Sequence, residues 1–343
     1  MKRRLGRFGC GPDKIATRGH FTDDCSHLRW DEMEVYRLTD RGGAAGMRAR
    51  TKAFGRIAGA AFSQLFAETH APPRQLIHVT CTGYESPSAA QLLVAQNRWG
   101  NQTSVTHAYH MGCYAALPAI RIAAGYAASF SEPNAASYTS TAEPRVDIVH
   151  TEICSLHLHP LRHEPEQLVI QSLFADGCIG YSLYPEARFH GRNPALAILS
   201  QAEWIVPDSA ASMSWFCADS GMEMSLARDV PERIADSLVP FVRGLLNQAG
   251  HGHEACQSAL FAIHPGGPKI VDQIASRLEL SEPQVAASRA VLRERGNMSS
   301  ATVPHIWQAL ATSSEVKHGQ LVVSLAFGPG LTLCGALLRK VAA

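Results

Sequence analysis

Two glycine-bearing loops, His264-Pro265-Gly266-Gly267-Pro268 and Gly296-Asn297-Met298-Ser299-Ser300, each stand directly before a helical pattern. A third segment, Tyr109-His110-Met111-Gly112-Cys113-Tyr114-Ala115-Ala116, puts a cysteine at the mouth of an apolar helical run. A chain built this way must bring loop-borne polar groups to the starts of helices. Together the three segments offer a thiol, an imidazole and a carboxamide. That set suits acyl chemistry on thioesters, with the cysteine carrying the acyl group and the other two donating to an enolate or oxyanion.

The intervening chain reads as strands alternating with helices. Residues 29–69 carry two helical patterns with Gly42-Gly43 as the break between them, and Leu76-Ile77-His78-Val79-Thr80 is an apolar, β-like run. Residues 89–96 read as helix. The stretch 113–130, rich in Ala, Ile and Leu at helical spacing, predicts a helix buried on most of its surface. Val146-Asp147-Ile148-Val149-His150 reads as a strand, and 168–184 as two more around a turn at Asp176-Gly177. In the second half 195–206 and 258–263 read as strands and 233–247 as an amphipathic helix. Helices over 268–278 and 283–295 follow, then a further helix after Asn297, then a closing strand pair at 322–326 and 331–338. No linker separates the halves.

Composition narrows the function classes. A net charge of +1 makes no electrostatic case for nucleic acid or a membrane surface, and no apolar run reaches bilayer length. The start, Met1 to Gly6, lacks a following apolar segment of the signal-peptide kind. Nine cysteines without CxxC pairs do not make a disulfide framework in 343 residues, so a reducing, cytoplasmic setting is expected. Charged residues at 18% are low for a monomer and point to surface buried in an oligomer.

A cysteine thiol titrates near 8.5 when unperturbed, so a nucleophile needs help to ionise. The start of a helix favours the anion at Cys113, and an imidazole from His264 would pair with it. A carboxamide at Asn297 donates without titrating. Taken singly, each has a bland alternative: a buried cysteine, a satisfied core histidine, a turn asparagine. His157-Leu158-His159 with His163 lacks a cysteine or carboxylate at ligand spacing, so no metal is expected there.

Several short segments together resemble the type III polyketide synthases, the chalcone synthase family within the thiolase superfamily. Gly328-Pro329-Gly330-Leu331-Thr332, preceded by Ala326-Phe327, is similar to that family's closing GFGPG loop, with Ala326 at the first glycine. Phe174-Ala175-Asp176-Gly177 is similar to its F-G-D-G segment, and Val206-Pro207-Asp208-Ser209 and Asp229-Val230-Pro231 fall in family order. The resemblance runs from about residue 15 to the C-terminus. It implies an α/β fold, the thiolase-like five-layered αβαβα sandwich, shortened at the N-terminus. Residues 1–192 would form the half carrying the nucleophile and 193–343 the half carrying His and Asn.

The resemblance also implies roles. Cys113, His264 and Asn297 would be catalytic. Phe174 is similar to a gatekeeper phenylalanine. Trp215 stands where many members have glycine, Met224 where they have a second phenylalanine, and His157 at a position often Thr. With Ser299 these would line the substrate pocket, the indole of Trp215 filling an initiation cavity. The loop Gly83-Tyr84-Glu85-Ser86-Pro87 would lie at the interface of a homodimer and reach the neighbour's cavity. No residue aligns with the family's basic cluster for coenzyme A, although Lys2, Arg3, Arg4, Arg7 and Lys14 offer charge nearby.

The activity implied is a Claisen condensation of acyl thioesters through a cysteine-bound acyl group, decarboxylative with a malonyl extender, giving a pyrone or resorcinol-type polyketide. No cofactor is held permanently; the substrates are coenzyme A or carrier-protein phosphopantetheine thioesters. Two readings remain open beside it within the superfamily. One is a stand-alone ketosynthase joining two carrier-protein-bound β-keto chains into an α-pyrone, with an acyl carrier protein as partner. The other is a ketoacyl-carrier-protein synthase III-like enzyme. From another class, a cysteine hydrolase shares the order Cys, His, Asn, but here Tyr114 follows the cysteine and glycine-rich loops surround the other two.

Overall fold

The computed structural model describes residues 6–37, 44–69, 71–130, 142–189 and 193–341. Its first half carries helices α1 (Met47–Leu65), α2 (Ala89–Gln96), α3 (Ala116–Ser129) and α4 (Pro165–Leu173) and strands β1 (Pro73–Thr80), β2 (Ser104–Tyr109), β3 (Glu143–Glu152) and β4 (Gly177–Leu183). The second half begins with β5 (Ala195–Ile205) and a hairpin of β6 (Met213–Ala218) and β7 (Gly221–Leu226). It continues through α5 (Val230–Gln248), β8 (Leu260–Ile263), α6 (Pro268–Arg277), α7 (Glu282–Arg295), α8 (Thr302–Thr312), β9 (Leu321–Gly328) and β10 (Thr332–Val341).

Two four-stranded sheets result, in the orders β2-β1-β3-β4 and β5-β10-β9-β8. In the first, β1 runs parallel to both β2 and β3, and α2 supplies the crossover that a parallel pair requires. Ser88 starts that helix with a capping box closed by Gln91. In the second sheet β10 is antiparallel to β5 and β9, while β8 is parallel to β9.

The layering follows from which faces are apolar. Ala116, Ala119, Ile120 and Ala123 of α3 and Val303, Ile306 and Leu310 of α8 share one buried cluster. That cluster also takes Ile77 and Ile148 from the first sheet and Val322 and Ala336 from the second. Both helices are therefore sandwiched between the sheets, which explains why α3 is apolar on nearly all sides. The outer faces are covered by α1 and α2 on one sheet and by α5 and α6 on the other. Five αβαβα layers are the outcome, the thiolase-like arrangement expected.

Three expectations need correction. The first helical pattern within 29–69 is a loop: the buried carboxylate of Asp24 accepts the backbone N–H groups of Glu34, Val35 and Tyr36 instead. Gly42-Gly43 lie outside the described residues, as do Lys2, Arg3 and Arg4. The stretch 168–184 is not two strands, since its first part is the C-terminal portion of α4, opened by Pro165 at its first turn. Cys113 lies not in the long helix itself but in a 3₁₀ turn, Gly112–Tyr114, immediately before α3.

Candidate active site

Strands β1 and β2 end side by side, Thr80 opposite Tyr109. Their continuations therefore leave the sheet together and carry Cys81 and Cys113 toward the same place. The corner into the Cys113 turn uses two left-handed residues, His110 (φ 63°) and Gly112 (φ 72°). A side chain at Gly112 would also press on Pro329, 3.2 Å from its Cδ. The motif-like loop 328–330 thus packs on the Cys113 turn, and glycine at both contacts permits it. At Gly328 a Cβ would lie 2.2 Å from Cδ1 of the Tyr114 ring.

The second half delivers its groups from the opposite side. His264 follows β8, its N–H held by the Leu325 carbonyl at 2.7 Å. Asn297 follows α7, and its backbone is zipped to the 173–175 segment: its N–H donates to Leu173 O at 3.0 Å and its carbonyl accepts from Ala175 N at 2.8 Å. The Asn297 Oδ1 accepts from Ser299 N at 2.9 Å. This fixes the carboxamide and leaves its Nδ2 to point elsewhere. Ser299, itself left-handed at φ 49°, accepts a hydrogen bond from the Cys113 thiol at 3.8 Å. Cys113, Asn297 and Ser299 are therefore gathered in one cluster.

Both ring nitrogens of His264 and the Nδ2 of Asn297 are buried without a hydrogen-bond partner. Such atoms are costly to leave unpaired, and native proteins rarely do so without a reason. Burial also sets the protonation states. It pushes the Cys113 thiol up to about 12, with hydrogen bonds involving Ser299 and Asn297 offsetting only part of the effect. It pulls the His264 imidazole down to about 3. Desolvation thus works against the expected thiolate–imidazolium pair, raising the thiol and lowering the imidazole.

The other pocket candidates divide. Phe174 pairs through its backbone with Asn297, and its side chain packs against a small cluster of Ile15, Leu173 and Leu292. Met224 lies directly across the hairpin from Trp215 and packs on the α5 core. His157 is buried and fully engaged: its Nε2 donates to Thr82 O at 2.6 Å and its Nδ1 accepts from Met222 N at 3.1 Å. Trp215 donates its indole N–H to Cys81 O at 2.8 Å. These two rings meet edge to face and hold consecutive carbonyls of the 81–82 segment. Among the described residues, no group of three or more His, Cys, Asp or Glu could hold a metal ion, and no helix is long and apolar enough to cross a membrane.

Two residues of this wall escaped sequence reasoning. Cys81 places its Sγ 3.2 Å from the Ser299 hydroxyl. Glu152, at the end of β3 and fully buried, accepts from Cys81 N at 3.1 Å and Thr82 Oγ1 at 3.0 Å, and also bonds the Ser300 hydroxyl. Burial raises its pKa, opposed by the bonds from Ser300, Cys81 and Thr82. Asp176 of the F-A-D-G segment is structural, since its carboxylate takes Phe21 N, Ser155 N and the Ser155 hydroxyl.

Comparison with known proteins finds likeness to one family and one fold. The chalcone and stilbene synthase family, C-terminal domain, matches residues 197–342. Type III polyketide synthase C of Arabidopsis thaliana is 27% identical over 270 residues, 78% of this chain and 67% of that protein. Type III polyketide synthase A of the same plant is 25% identical over 270 residues, 78% of this chain and 65% of its own length. The match thus spans about two thirds of these relatives. The C-terminal type III polyketide synthase domain of Steely1 from Dictyostelium superposes with a TM-score of 0.81 at 24% identity, covering 99% of this chain and 89% of that one, a likeness that establishes the fold.

Proposed function

Because this chain belongs to the type III polyketide synthase family, we propose that it is a condensing enzyme that works by decarboxylative Claisen chemistry at Cys113. The observation that carries the reading is a pair of buried donors left without a partner, on His264 and on Asn297, the latter on the loop whose Ser299 the Cys113 thiol touches at the head of α3. Donors of that kind are suited to an oxygen that becomes negative during reaction.

In the first step the Cys113 sulfur attacks an acyl thioester carbonyl. The thiol proton passes to the departing thiolate, and the acyl group remains on Cys113. The neutral His264 ring fits a base that relays this proton, because it enters the reaction unprotonated. In the second step the carboxylate of a malonyl thioester leaves as carbon dioxide. Its bonding electron pair becomes an enolate whose oxygen accepts from Asn297 Nδ2 and a His264 N–H. The enolate carbon then attacks the Cys113-bound carbonyl and expels the cysteine sulfur as thiolate, which solvent reprotonates. Repetition and ring closure give a pyrone or resorcinol-type product.

The acyl donors in this proposal are coenzyme A thioesters and the enzyme is a homodimer, as the family resemblance implies, in the reducing cytoplasm expected from nine cysteines without CxxC pairs. A cavity of about 300 Å³ lined by Tyr84, Glu85, Ser86, Gln91, His107 and Tyr109 opens on the loop assigned to the subunit interface. The division at 192/193, with nucleophile and donors in different halves, falls next to a stretch outside the described residues. Phe174, Met224 and Ser299 are assigned to the acyl pocket. Intact-mass measurement after exposure to an acyl-CoA tests the reading: one acyl mass should appear on the Cys113 peptide. An adduct that survives in Cys113→Ala would overturn it. Asn297→Ala should slow release of carbon dioxide from malonyl-CoA by about a hundred- to a thousandfold.

A further inference from the structure

His110 is an exposed histidine that the proposed chemistry does not use, yet both of its ring nitrogens are engaged. Its Nε2 lies 3.0 Å from the Trp215 carbonyl oxygen, and its Nδ1 meets the Tyr84 hydroxyl. A carbonyl only accepts, so Nε2 carries the proton. In the neutral ring Nδ1 is then an acceptor for Tyr84. Burial pushes the Tyr84 phenol well above its ordinary value, which keeps that hydroxyl a donor. The same hydroxyl lies 3.2 Å from Cys81 O, the atom that also accepts the Trp215 indole N–H. His110, Trp215, Cys81 and Tyr84 therefore form a ring of contacts carried by three hydrogen bonds, the one Tyr84 proton serving His110 and leaving its approach to Cys81 O without a donor.

The ring joins three separate pieces of chain. Cys81 and Tyr84 follow β1, His110 follows β2, and Trp215 comes from the β6–β7 hairpin of the second half. His110 is also anchored through its backbone, its N–H donating to Thr80 O at 3.0 Å. Its left-handed φ of 63° is one that a residue with a Cβ adopts reluctantly, and histidine is among the few that tolerate it. Three residues later comes Cys113. On the other side of the ring, Cys81 sits against Ser299, the hydroxyl that the Cys113 thiol touches. The corner before the nucleophile and the wall facing it are thus pinned to each other by one side chain.

We propose that His110 is the positioning residue for Cys113, closing through Tyr84 and Trp215 a ring that fixes the 110–113 corner against the Cys81 wall. The assignment rests on Cys113 being the nucleophile. It gives Trp215 a second role besides occupying volume: its indole N–H and its carbonyl are both links of the ring. Because His110 is exposed, its loss should disturb the aim of the thiol more than the stability of the fold.

The test compares His110→Leu, His110→Gln and Tyr84→Phe in the full chain. Glutamine can donate to Trp215 O and accept from Tyr84, so it should restore most of what leucine loses. Single-turnover acylation of Cys113 by an acyl-CoA, read by intact mass, should fall about ten- to a hundredfold in His110→Leu, since a displacement near 1 Å costs rates of that order. KM should stay within about twofold, the signature of an effect on the step and not on binding. Peptide-mapped alkylation of Cys113 by iodoacetamide should change in the same variant while the melting temperature holds. Wild-type acylation and alkylation in His110→Leu would overturn the proposal, as would a glutamine variant as impaired as leucine. If the leucine variant does not fold, slowed acylation in Tyr84→Phe with His110→Gln near wild type supports the proposal, and a wild-type rate in Tyr84→Phe refutes it. Absence of any acyl group on wild-type Cys113 would instead remove the nucleophile assignment, a different result from unchanged alkylation across the variants.

Discussion

Replacing Gly328 by alanine tests whether the C-terminal loop governs the Cys113 turn. A Cβ there would lie 2.2 Å from Cδ1 and 2.8 Å from Cε1 of Tyr114, and 3.4 Å from the Met111 carbonyl oxygen. Ordinary van der Waals contact begins at about 3.4 Å, so the ring must retreat by about 1 Å in a close-packed setting. Tyr114 adjoins Cys113, hence the displacement falls on the 3₁₀ turn that carries the thiol. Overpacking of this kind costs about 1–3 kcal/mol. With an unfolding entropy of about 2 cal/mol/K per residue, that is a fall of only about 1–4 °C in Tm for a chain of this length. The effect on rate should be larger, up to about a hundredfold in acylation of Cys113, because small misplacements of a reacting atom are expensive. Differential scanning fluorimetry and single-turnover mass spectrometry measure the two separately. Adding Tyr114→Leu should relieve the clash and recover part of the rate. A Gly328→Ala protein that melts lower but acylates at the wild-type rate would refute the coupling.

Acid should unfold this protein early. His78, His150 and His264 are pulled down to about 3 and His157 to about 4, all by burial, so the folded state keeps them neutral while the unfolded chain protonates them below about 6.5. Stability is whole above that value and falls as pH drops through the window from 6.5 toward 4, by about 1 kcal/mol per histidine per pH unit. A Tm unchanged between pH 7 and 5 would contradict this. Alkylation of Cys113 by iodoacetamide should keep accelerating above pH 9, since burial holds its thiol up to about 12; a plateau near pH 7 would mean that the thiolate is already formed. Trp215→Gly should admit bulkier starter groups, provided it tolerates a cavity cost approaching about 3–5 kcal/mol. Trp215→Phe, which keeps bulk and loses the N–H to Cys81 O, should slow acylation without altering the product spectrum, and identical product profiles in wild type and Trp215→Gly would remove the cavity role.

The candidate residues Cys113, His264 and Asn297 stand out in the sequence because each lies in a short loop whose glycines and prolines announce a helix start. Gly112, Gly296 and Pro268 mark those corners in the bare chain, as do the capping box of α2 and the apolar circumference of α3. What stayed hidden depends on sheet neighbours. Cys81 and Glu152 meet only because β1 and β3 are paired in parallel and end at the same edge, a register that no local pattern encodes. The misreading at 168–184 has a local cause: the run Leu168-Val169-Ile170 favours a strand, and tertiary packing of Leu168 and Leu173 overrides it. Strand β2 carries an irregular burial pattern rather than an alternation and left little trace. The direction of the Trp215 indole could not be read at all, since it is set by a hydrogen bond to a carbonyl 134 residues away.

Placing α3 and α8 in one shared central layer has a consequence for biogenesis. Cys113 is synthesised long before His264 and Asn297, and its helix finds no complete burial until α8 and the second sheet arrive. Until that docking, the cysteine is an ordinary solvated thiol titrating near 8.5. After docking, desolvation suppresses its ionisation. Protection of Cys113 against a thiol reagent is therefore a clock for closure of the central layer. Pairings across such long sequence distances are slow to form. A pulse of alkylating reagent during refolding should label Cys113 early and spare it late, with the loss of labelling coinciding with the burial of Trp307 of α8 in the same layer.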